Sequence, residues 1–270
     1  ELEFRSEVVR RKDLFVAVFA NLAHNENRIL KISESLKAYN DLVKDHFANS
    51  NRFDGSNTQP FTQYVEGGSQ TSIWGVPSLG IDPATGEEIF IRPDGSITNT
   101  WNTNDQVVLG DTEPKIQGTF GLNATYKNLS LYMTFMYEAG GQIYNSTLRD
   151  KVEDVNVYTS NVDKRVFSER WQEPGDKARY RKLTSGVGGS IMRTRPTSRF
   201  VEDNNVLTLN SISLGYDFDA GQKWMKTIGL SMLRFEIGAN DVCRWSSVKV
   251  ERGLNYPYAR SFNFSLKAAF

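Results

Sequence analysis

The chain has 270 residues, with 32 basic and 32 acidic side chains and therefore no net charge. This balance argues against a nucleic-acid-binding protein, which usually carries a basic excess. The single cysteine, Cys243, excludes an intramolecular disulfide and a thiolate metal cluster, and the lack of an apolar run near ~20 residues excludes a helical membrane protein.

The N-terminal part of the chain alternates apolar and polar side chains, which predicts β-strands with two unlike faces. Leu2–Val9 and Asp13–Ala23 are predicted to form a hairpin around Arg10-Arg11-Lys12. The chain starts within this pattern and has neither an initiator Met nor a signal-peptide core. We therefore expect it to be a piece of a longer protein, the alternative being a soluble protein after processing.

After this hairpin comes one stretch with helical spacing. Ile32, Leu36, Tyr39 and Leu42-Val43 recur on one side of a helix over Ile32–His46. The pattern predicts a short amphipathic helix that packs within a loop.

A second, longer hairpin is predicted from Lys115 to Ala139. Lys115–Tyr126 and Leu129–Ala139 flank a tight turn at Lys127-Asn128. The apolar face of this hairpin carries Ile116, Phe120, Leu122, Ala124, Tyr126, Leu129, Leu131, Met133, Phe135 and Tyr137. Both segments reach the ~9–11 residues with which a tilted strand crosses a bilayer.

Three further strands complete the pattern. Val206–Phe218 and Thr227–Asn240 each change phase midway, and a β-bulge is the usual means of absorbing such a slip. We predict bulges near Asn210-Ser211 and near Met232-Leu233. The last strand places Tyr258, Phe262, Phe264, Leu266, Ala268 and Phe270 on one face.

The connections between these seven strands alternate in length. Long polar stretches follow His24, Tyr144 and Asn240, whereas the intervening turns are short. Long loops on one side and short turns on the other are typical of outer-membrane barrels, whereas a soluble sandwich has mostly short connections. If the short turns are periplasmic, the long segments are extracellular. Seven strands leave two open edges, so the rest of a barrel would come from outside this chain.

Several motifs resemble, in order, the C-terminal part of SusC/RagA-like TonB-dependent outer-membrane transporters of the Bacteroidetes type. They are Asn21-Leu22-Ala23-His24-Asn25-Glu26-Asn27, Gly80-Ile81-Asp82-Pro83-Ala84-Thr85-Gly86-Glu87, Leu109-Gly110-Asp111-Thr112-Glu113-Pro114-Lys115, Arg170-Trp171-Gln172-Glu173-Pro174-Gly175-Asp176, Ser198-Arg199-Phe200-Val201-Glu202-Asp203, Leu214-Gly215-Tyr216, and Asn240 with Tyr256-Pro257 and Arg260-Ser261-Phe262. The last loop, Val250–Leu254, departs from the Asp-Pro-Glu element of many members.

This resemblance implies an all-β fold in which residues 1–270 are the C-terminal segment, with about seven antiparallel strands, of a 22-stranded transmembrane β-barrel with long extracellular loops. The family's plug domain and TonB-contacting segment are not in this sequence. The implied function is TonB-dependent import of glycan, oligosaccharide or peptide nutrients across the cell outer membrane. The implied partners are the remainder of the barrel, a SusD-like surface lipoprotein, TonB and outer-membrane lipid.

Enzyme and metal chemistry are weakly supported, and we predict neither an enzyme nor a bound cofactor. Gly186-Val187-Gly188-Gly189 lacks the lysine of a phosphate-binding loop. Asp82, Glu87 and Glu88 are close in sequence, but a turn at Asp82-Pro83 is favoured over a pair of catalytic carboxylates.

Two places in the sequence have side chains that could bind a metal ion. His24 and His46 lie far apart, and zinc sites need several convergent ligands. Oxygen-rich side chains follow Asp94-Gly95 in the sequence, at Asn99, Asn102, Asn104 and Asp105. Their irregular spacing makes a calcium site a minor hypothesis.

Tryptophans and the C-terminal residue are the candidate contact sites. Trp74, Trp101 and Trp171 fall in the long loops, where they would contact a ligand or the lipoprotein partner, or simply pack the loops. Trp224 fits an interfacial aromatic girdle. Phe270 would be the barrel-assembly signal, and its alternative is the last residue of an apolar face. Two other functions stay open: a transporter homologue repurposed as a scaffold, and a soluble all-β binding or adhesion protein.

Overall fold

A computed structural model describes residues 1–50, 55–159, 161–183, 192–219, 221–249 and 260–270. The predicted Gly186–Gly189 loop, the Val250–Leu254 loop and the start of the last strand at Tyr258 lie outside these residues. Within them, no helix is both long and apolar enough to span a membrane.

The secondary structure is mainly β. The strands are β1 (Leu2–Arg10), β2 (Leu14–Ala23), β3 (Ser72–Gly75), β4 (Ser78–Ile81), β5 (Glu88–Ile91), β6 (Ile97–Thr98), β7 (Val107–Asp111), β8 (Ile116–Tyr126), β9 (Leu129–Tyr144), β10 (Val201–Phe218), β11 (Met232–Ser246) and β12 (Ser261–Ala269). The α-helices are α1 (Glu34–Asn49), α2 (Ser146–Leu148), α3 (Arg165–Ser168) and α4 (Lys223–Thr227). Ser33 caps α1 by accepting a hydrogen bond from the Leu36 amide.

Among the described residues, seven strands form one antiparallel sheet in the order β1-β2-β8-β9-β10-β11-β12, which confirms the predicted number of strands. Neighbours in this sheet are joined in chain order, either by short turns or by the long connections. β1 and β12 are its two edges, and the backbone groups along an edge are available to pair with another strand.

The two faces of the sheet differ as the alternation predicts. On one face Phe120 lies opposite Phe135, and their rings stack with centroids 5.0 Å apart. The other face carries polar side chains such as Asn123, which lies opposite Tyr132. On β12 the apolar side chains Phe262, Phe264 and Leu266 remain 65–70% exposed. We call these the apolar face and the polar face of the sheet.

One predicted bulge is confirmed. The register of β10 and β11 shifts between Leu209 and Ser211, the predicted position. The extra residue lies on the facing strand, because Leu209 pairs with Cys243 and Ser211 with Asn240. Asp241 accommodates it with a positive φ of 53°.

The bulge predicted near Met232-Leu233 is wrong. β11 begins at Met232 and pairs regularly with β12 from that residue onward. The apolar residues Ile228 and Leu230, which suggested an earlier strand, belong instead to the end of α4 and the following turn. Gly229 makes that turn with a φ of 77°, a conformation that glycine adopts without steric cost.

The chain divides into two compact units. The first, here the sheet unit, comprises Glu1–Asn25, Pro114–Gly140 and Asn204–Phe270. The second, here the loop unit, comprises Glu26–Glu113 and Gly141–Asp203, which are the first two long connections of the sequence. The helix predicted at Ile32–His46 is α1, shifted by two to three residues at its ends.

The loop unit has ordered structure of its own. It contains a two-stranded sheet, β3-β7, and a three-stranded sheet, β4-β5-β6. One apolar core collects Leu148, Val152, Val155, Val166, Tyr180 and Phe200, and a second collects Val43, Phe47, Val76, Phe90 and Trp101. The long connections are therefore packed structure, which positions the side chains described next.

Candidate functional site

The Asp82 turn of the loop unit has the geometry that its sequence predicts. The Asp82 carboxylate accepts hydrogen bonds from the Ala84 amide at 2.9 Å and the Thr85 hydroxyl at 2.8 Å. These two hydrogen bonds lower the pKa of Asp82 below its ordinary value. Gly86 closes the turn with a φ of 69°. The predicted turn role of Asp82 is confirmed.

A second motif, Arg170–Asp176, docks onto this turn. The Trp171 Nε1 donates a hydrogen bond to the Pro83 carbonyl at 2.9 Å, and the Gly175 amide donates to the same carbonyl at 2.8 Å. The Trp171 ring lies over Gly86, where a Cβ atom would come within 2.5 Å of it. Two sequence motifs far apart in the chain thus form one contact, which we call the turn clamp.

Replacing Gly86 with Ala is expected to disrupt the turn clamp. The change adds the strain of a left-handed Ala, about 1–2 kcal/mol, to an overpacking cost of about 1–3 kcal/mol. Gly95→Ala is a matched control, because Gly95 has a φ of 82° and nothing within 4 Å of its Cβ position. Hydrogen exchange of the Trp171 segment should rise more in G86A than in G95A, and equal effects would contradict the steric contribution.

The loop unit contains a buried charge network. The Arg199 guanidinium bridges Glu88 and Glu153, with nitrogen–oxygen distances of 2.8 Å to each. The Glu88 carboxylate also accepts a hydrogen bond from the Thr197 hydroxyl at 2.7 Å. The guanidinium carbon of Arg199 stands 4.9 Å from the centre of the Phe200 ring. This arrangement holds β5, the start of β10 and the Glu153 segment together.

The network continues through Arg181. Its guanidinium lies 3.3 Å from Glu153 and 3.0 Å from Asp154. The Thr194 amide and hydroxyl each donate to the Asp154 carboxylate at 2.8 Å. Both acids are fully buried, and the Arg charges and hydrogen bonds offset part of the cost of removing two carboxylates from water. At Asp154 burial outweighs them and raises the pKa of the carboxyl.

Arg170 forms hydrogen bonds to the backbone around the same network. Its side chain donates to the carbonyls of Val166 at 3.0 Å, Arg181 at 2.7 Å and Glu153 at 2.9 Å, and also to that of Val152. Burial lowers the pKa of Arg170, although the nearby acids oppose that change. Arg170, the first residue of the predicted motif, therefore has a structural role in the loop unit: it binds backbone carbonyl groups.

The predicted loop tryptophans have different environments. Trp101 is buried, donates from Nε1 to the Pro196 carbonyl at 3.0 Å and lies under the Arg195 guanidinium at 4.8 Å. Trp101 therefore packs the loop core, which was the alternative to ligand contact. Trp74 and Trp171 are half-buried, so part of each ring is open to contact from outside.

The carboxylates considered for catalysis do not share one site. Asp82 lies in its turn, Glu87 pairs with Lys182 at 3.0 Å, and Glu88 is bound by Arg199.

The minor calcium hypothesis gains no support, because Asp94 instead accepts a hydrogen bond from the Ser96 amide at 2.9 Å. Among the described residues, no group of three or more His, Cys, Asp or Glu side chains is arranged to hold a metal ion.

The polar face of the sheet carries a charged cluster that sequence reasoning missed. Arg234 contacts Asp217 at 2.9 Å, Glu236 at 3.3 Å and the Ser130 hydroxyl at 2.9 Å. Gly215 provides the space, because a Cβ there would lie 2.5 Å from the Arg234 guanidinium. The cluster joins three strands that are distant in sequence, so no local pattern predicts it. The Leu214-Gly215-Tyr216 motif, which contains Gly215, was the one sequence signal near it.

Two comparisons with known proteins identify relatives. No protein-family model matches the chain. TonB-dependent receptor P3 of Formosa agariphila is 23% identical over an alignment of 296 positions, which covers 100% of this chain and 28% of that receptor. TonB-dependent receptor P26 of the same organism is 24% identical over 149 residues, covering 55% of this chain and 14% of that receptor.

Solved structures show the same fold. The structure of the RagAB peptide transporter gives a TM-score of 0.74 at 20% identity, covering 99% of this chain and 28% of the matched chain. The RagAB peptide importer in its open-open state gives 0.72 at 21% identity, with the same coverage. The chain therefore spans 28% of the length of the relative P3 and of these matched chains. In sequence and in fold, it is similar to SusC/RagA-like TonB-dependent receptors of the outer membrane, as its motifs predict.

Proposed function

We propose that this chain supplies seven wall strands and two long extracellular loops to a TonB-dependent importer in the outer membrane. The cargo would be a glycan, an oligosaccharide or a peptide. The observation that carries the proposal is the seven-stranded sheet with one apolar and one polar face. The likeness to TonB-dependent receptor P3 and to the RagAB peptide transporter supports it.

The exposed apolar face favours a membrane wall over a soluble protein. Phe264 is 70% exposed and Leu266 is 68% exposed on β12. A soluble sandwich would bury such a face against a second sheet. In a membrane, lipid hydrocarbon would cover this face, so its apolar side chains would not be exposed to water. The edge strands β1 and β12 would pair with the remainder of the barrel.

The other proposed partners follow from this assignment. A SusD-like surface lipoprotein would dock on the loop unit, and TonB would act through a segment outside this chain. Trp74 and Trp171 are the proposed contacts for cargo or lipoprotein, because part of each ring is accessible. Phe270, which is 89% exposed after β12, would be the barrel-assembly signal.

Deleting the gene that encodes the chain is expected to abolish uptake of one labelled polymer class, either glycan or peptide. Expression of the complete receptor should restore uptake, and a protonophore should abolish it again, because import would be driven through TonB. Unchanged uptake after deletion would contradict the proposal. A receptor that reaches the outer membrane and assembles with partners but imports nothing would favour the scaffold alternative.

A further inference from the structure

The short-turn end of the sheet unit is rich in basic side chains. Arg10 ends β1, the turn that follows contains Arg11 and Lys12, and the turn between β8 and β9 contains Lys127. α4, between β10 and β11, adds further lysines at 223 and 226. Because the whole chain has no net charge, this clustering is a local excess. We call these turns the basic rim.

The turns of the basic rim are joined by hydrogen bonds. The Lys127 amide donates to the Asp13 carbonyl at 2.7 Å. The Asn128 side chain donates to the Asp217 carbonyl at 2.7 Å, and the Asp217 amide donates back to the Asn128 carbonyl at 2.9 Å. These hydrogen bonds hold three successive turns side by side at one end of the sheet, so their charges lie on a common surface.

An open depression of about 480 Å³ lies between the first two turns. Its charged lining consists of Arg11, Lys12 and Lys127 with a single acid, Asp13. The acid near Arg10 is already engaged, because Glu7 pairs with that arginine at 2.6 Å. The depression thus presents more positive than negative charge to a ligand, and its three basic side chains are exposed.

Lys127 occupies a position that suits other residues better. Its φ is 52°, in the left-handed region that Gly and Asn enter more readily than Lys. The turn itself therefore gives no reason for lysine here. A role for the ammonium group would account for the residue, since strained positions often serve function.

An aromatic band borders the basic rim. Tyr126 is 54% exposed, and the Lys127 ammonium stands 5.5 Å from the centre of its ring. Trp224 is 43% exposed and packs edge-on against Phe218 at 5.9 Å. Aromatic side chains followed by basic ones match the order of acyl chain, interface and headgroup in a bilayer leaflet.

We propose that the basic rim binds the phosphate-bearing headgroups of anionic phospholipids, with Arg11, Lys12 and Lys127 as the contacting cations. This inference rests on the proposed membrane location. Charge complementarity and continuity with the exposed apolar face select a lipid as the occupant. Each basic side chain near an anionic leaflet strengthens attraction, and the three together would distinguish anionic from zwitterionic lipid.

The test uses the complete, delipidated receptor and native mass spectrometry with added phosphatidylglycerol or phosphatidylcholine. K127N should weaken phosphatidylglycerol binding about fivefold, and the triple variant R11Q/K12Q/K127N on the order of 100-fold. Asn also tolerates the left-handed turn, so K127N should fold normally. K115N is the matched control, because Lys115 precedes the opposite end of β8, and it should bind like the unmodified receptor.

The possible outcomes separate lipid binding by the basic rim from its alternatives. Unchanged phosphatidylglycerol binding in the triple variant would overturn the inference, as would equal losses for both lipids. Loss of a periplasmic protein partner with lipid binding intact would assign the rim to a protein and also overturn it. A receptor that inserts into phosphatidylcholine vesicles without preferring anionic lipid contradicts this inference alone, whereas failure to insert into any vesicle contradicts the proposed function.

Discussion

Replacing Arg199 with Met is expected to destabilise the loop unit by about 3–5 kcal/mol, because removal of one partner leaves buried charge uncompensated. Glu88 would lose the Arg199 cation, while Glu153 would retain Arg181 at 3.3 Å. Both carboxylates lie at positions that water barely reaches, with side chains 6% and 0% exposed. Hydrogen exchange of β5 and of residues 192–203, measured in the complete receptor, should rise accordingly.

The pH dependence of the same variant gives a sharper result. In the unmodified chain burial acts to raise the pKa of Glu88, but the Arg199 charge and hydrogen bonds from Arg199, Thr197 and Ser78 lower it overall. A depressed pKa means that Glu88 stabilises the fold above its unfolded pKa of about 4.3. That contribution is lost as the pH falls through the lower folded value.

Without Arg199, burial is expected to dominate and to raise the pKa of Glu88. Protonation then relieves the buried charge, so the variant should gain stability as the pH falls, opposite to the unmodified chain. The control is Arg179→Met, because Arg179 is 54% exposed and pairs with Glu202 at 3.2 Å. Such a surface pair is worth less than about 1 kcal/mol. Similar losses in both variants, or pH slopes of the same sign, would contradict the central role of Arg199.

The sheet could be predicted because the polarity of side chains along each strand reflects which face of the sheet they lie on. Along Ile116–Tyr126 larger apolar side chains alternate with polar or small ones, so the period of two reveals both the strand and its faces. The prediction failed where an apolar pair imitated this pattern. Ile228 and Leu230 alternate like strand residues, but Gly229 between them turns the chain with a positive φ.

The interior of the loop unit could not be predicted in this way. β4, β5 and β6 have two to four residues each, too few to establish a period. Its stability depends on pairs such as Glu88 with Arg199, which are distant in sequence and meet only after folding. Arg199 lies in the Ser198–Asp203 motif and Arg179 lies in none, but no local pattern shows that the first side chain is buried between two acids and the second is exposed.

Replacing Leu122 with Arg is expected to impair assembly of the complete receptor in the membrane. Leu122 lies near the middle of β8 on the apolar face, opposite Val18 and Met133. An arginine on the lipid face costs about 2–4 kcal/mol at the bilayer midplane. The folded fraction on heat-modifiable gels and the midpoint of urea unfolding in vesicles should both fall.

Asn123→Arg is the matched control, one residue along the same strand. A strand alternates its side chains between faces, so Asn123 projects from the polar face, where it is exposed opposite Tyr132. The added charge there remains hydrated, and assembly should stay close to normal. Equal loss in both variants would mean that the two faces meet similar surroundings, which would contradict a membrane wall. Loss in L122R alone requires an apolar environment on the Leu122 side of the sheet and water on the other, as a membrane wall provides.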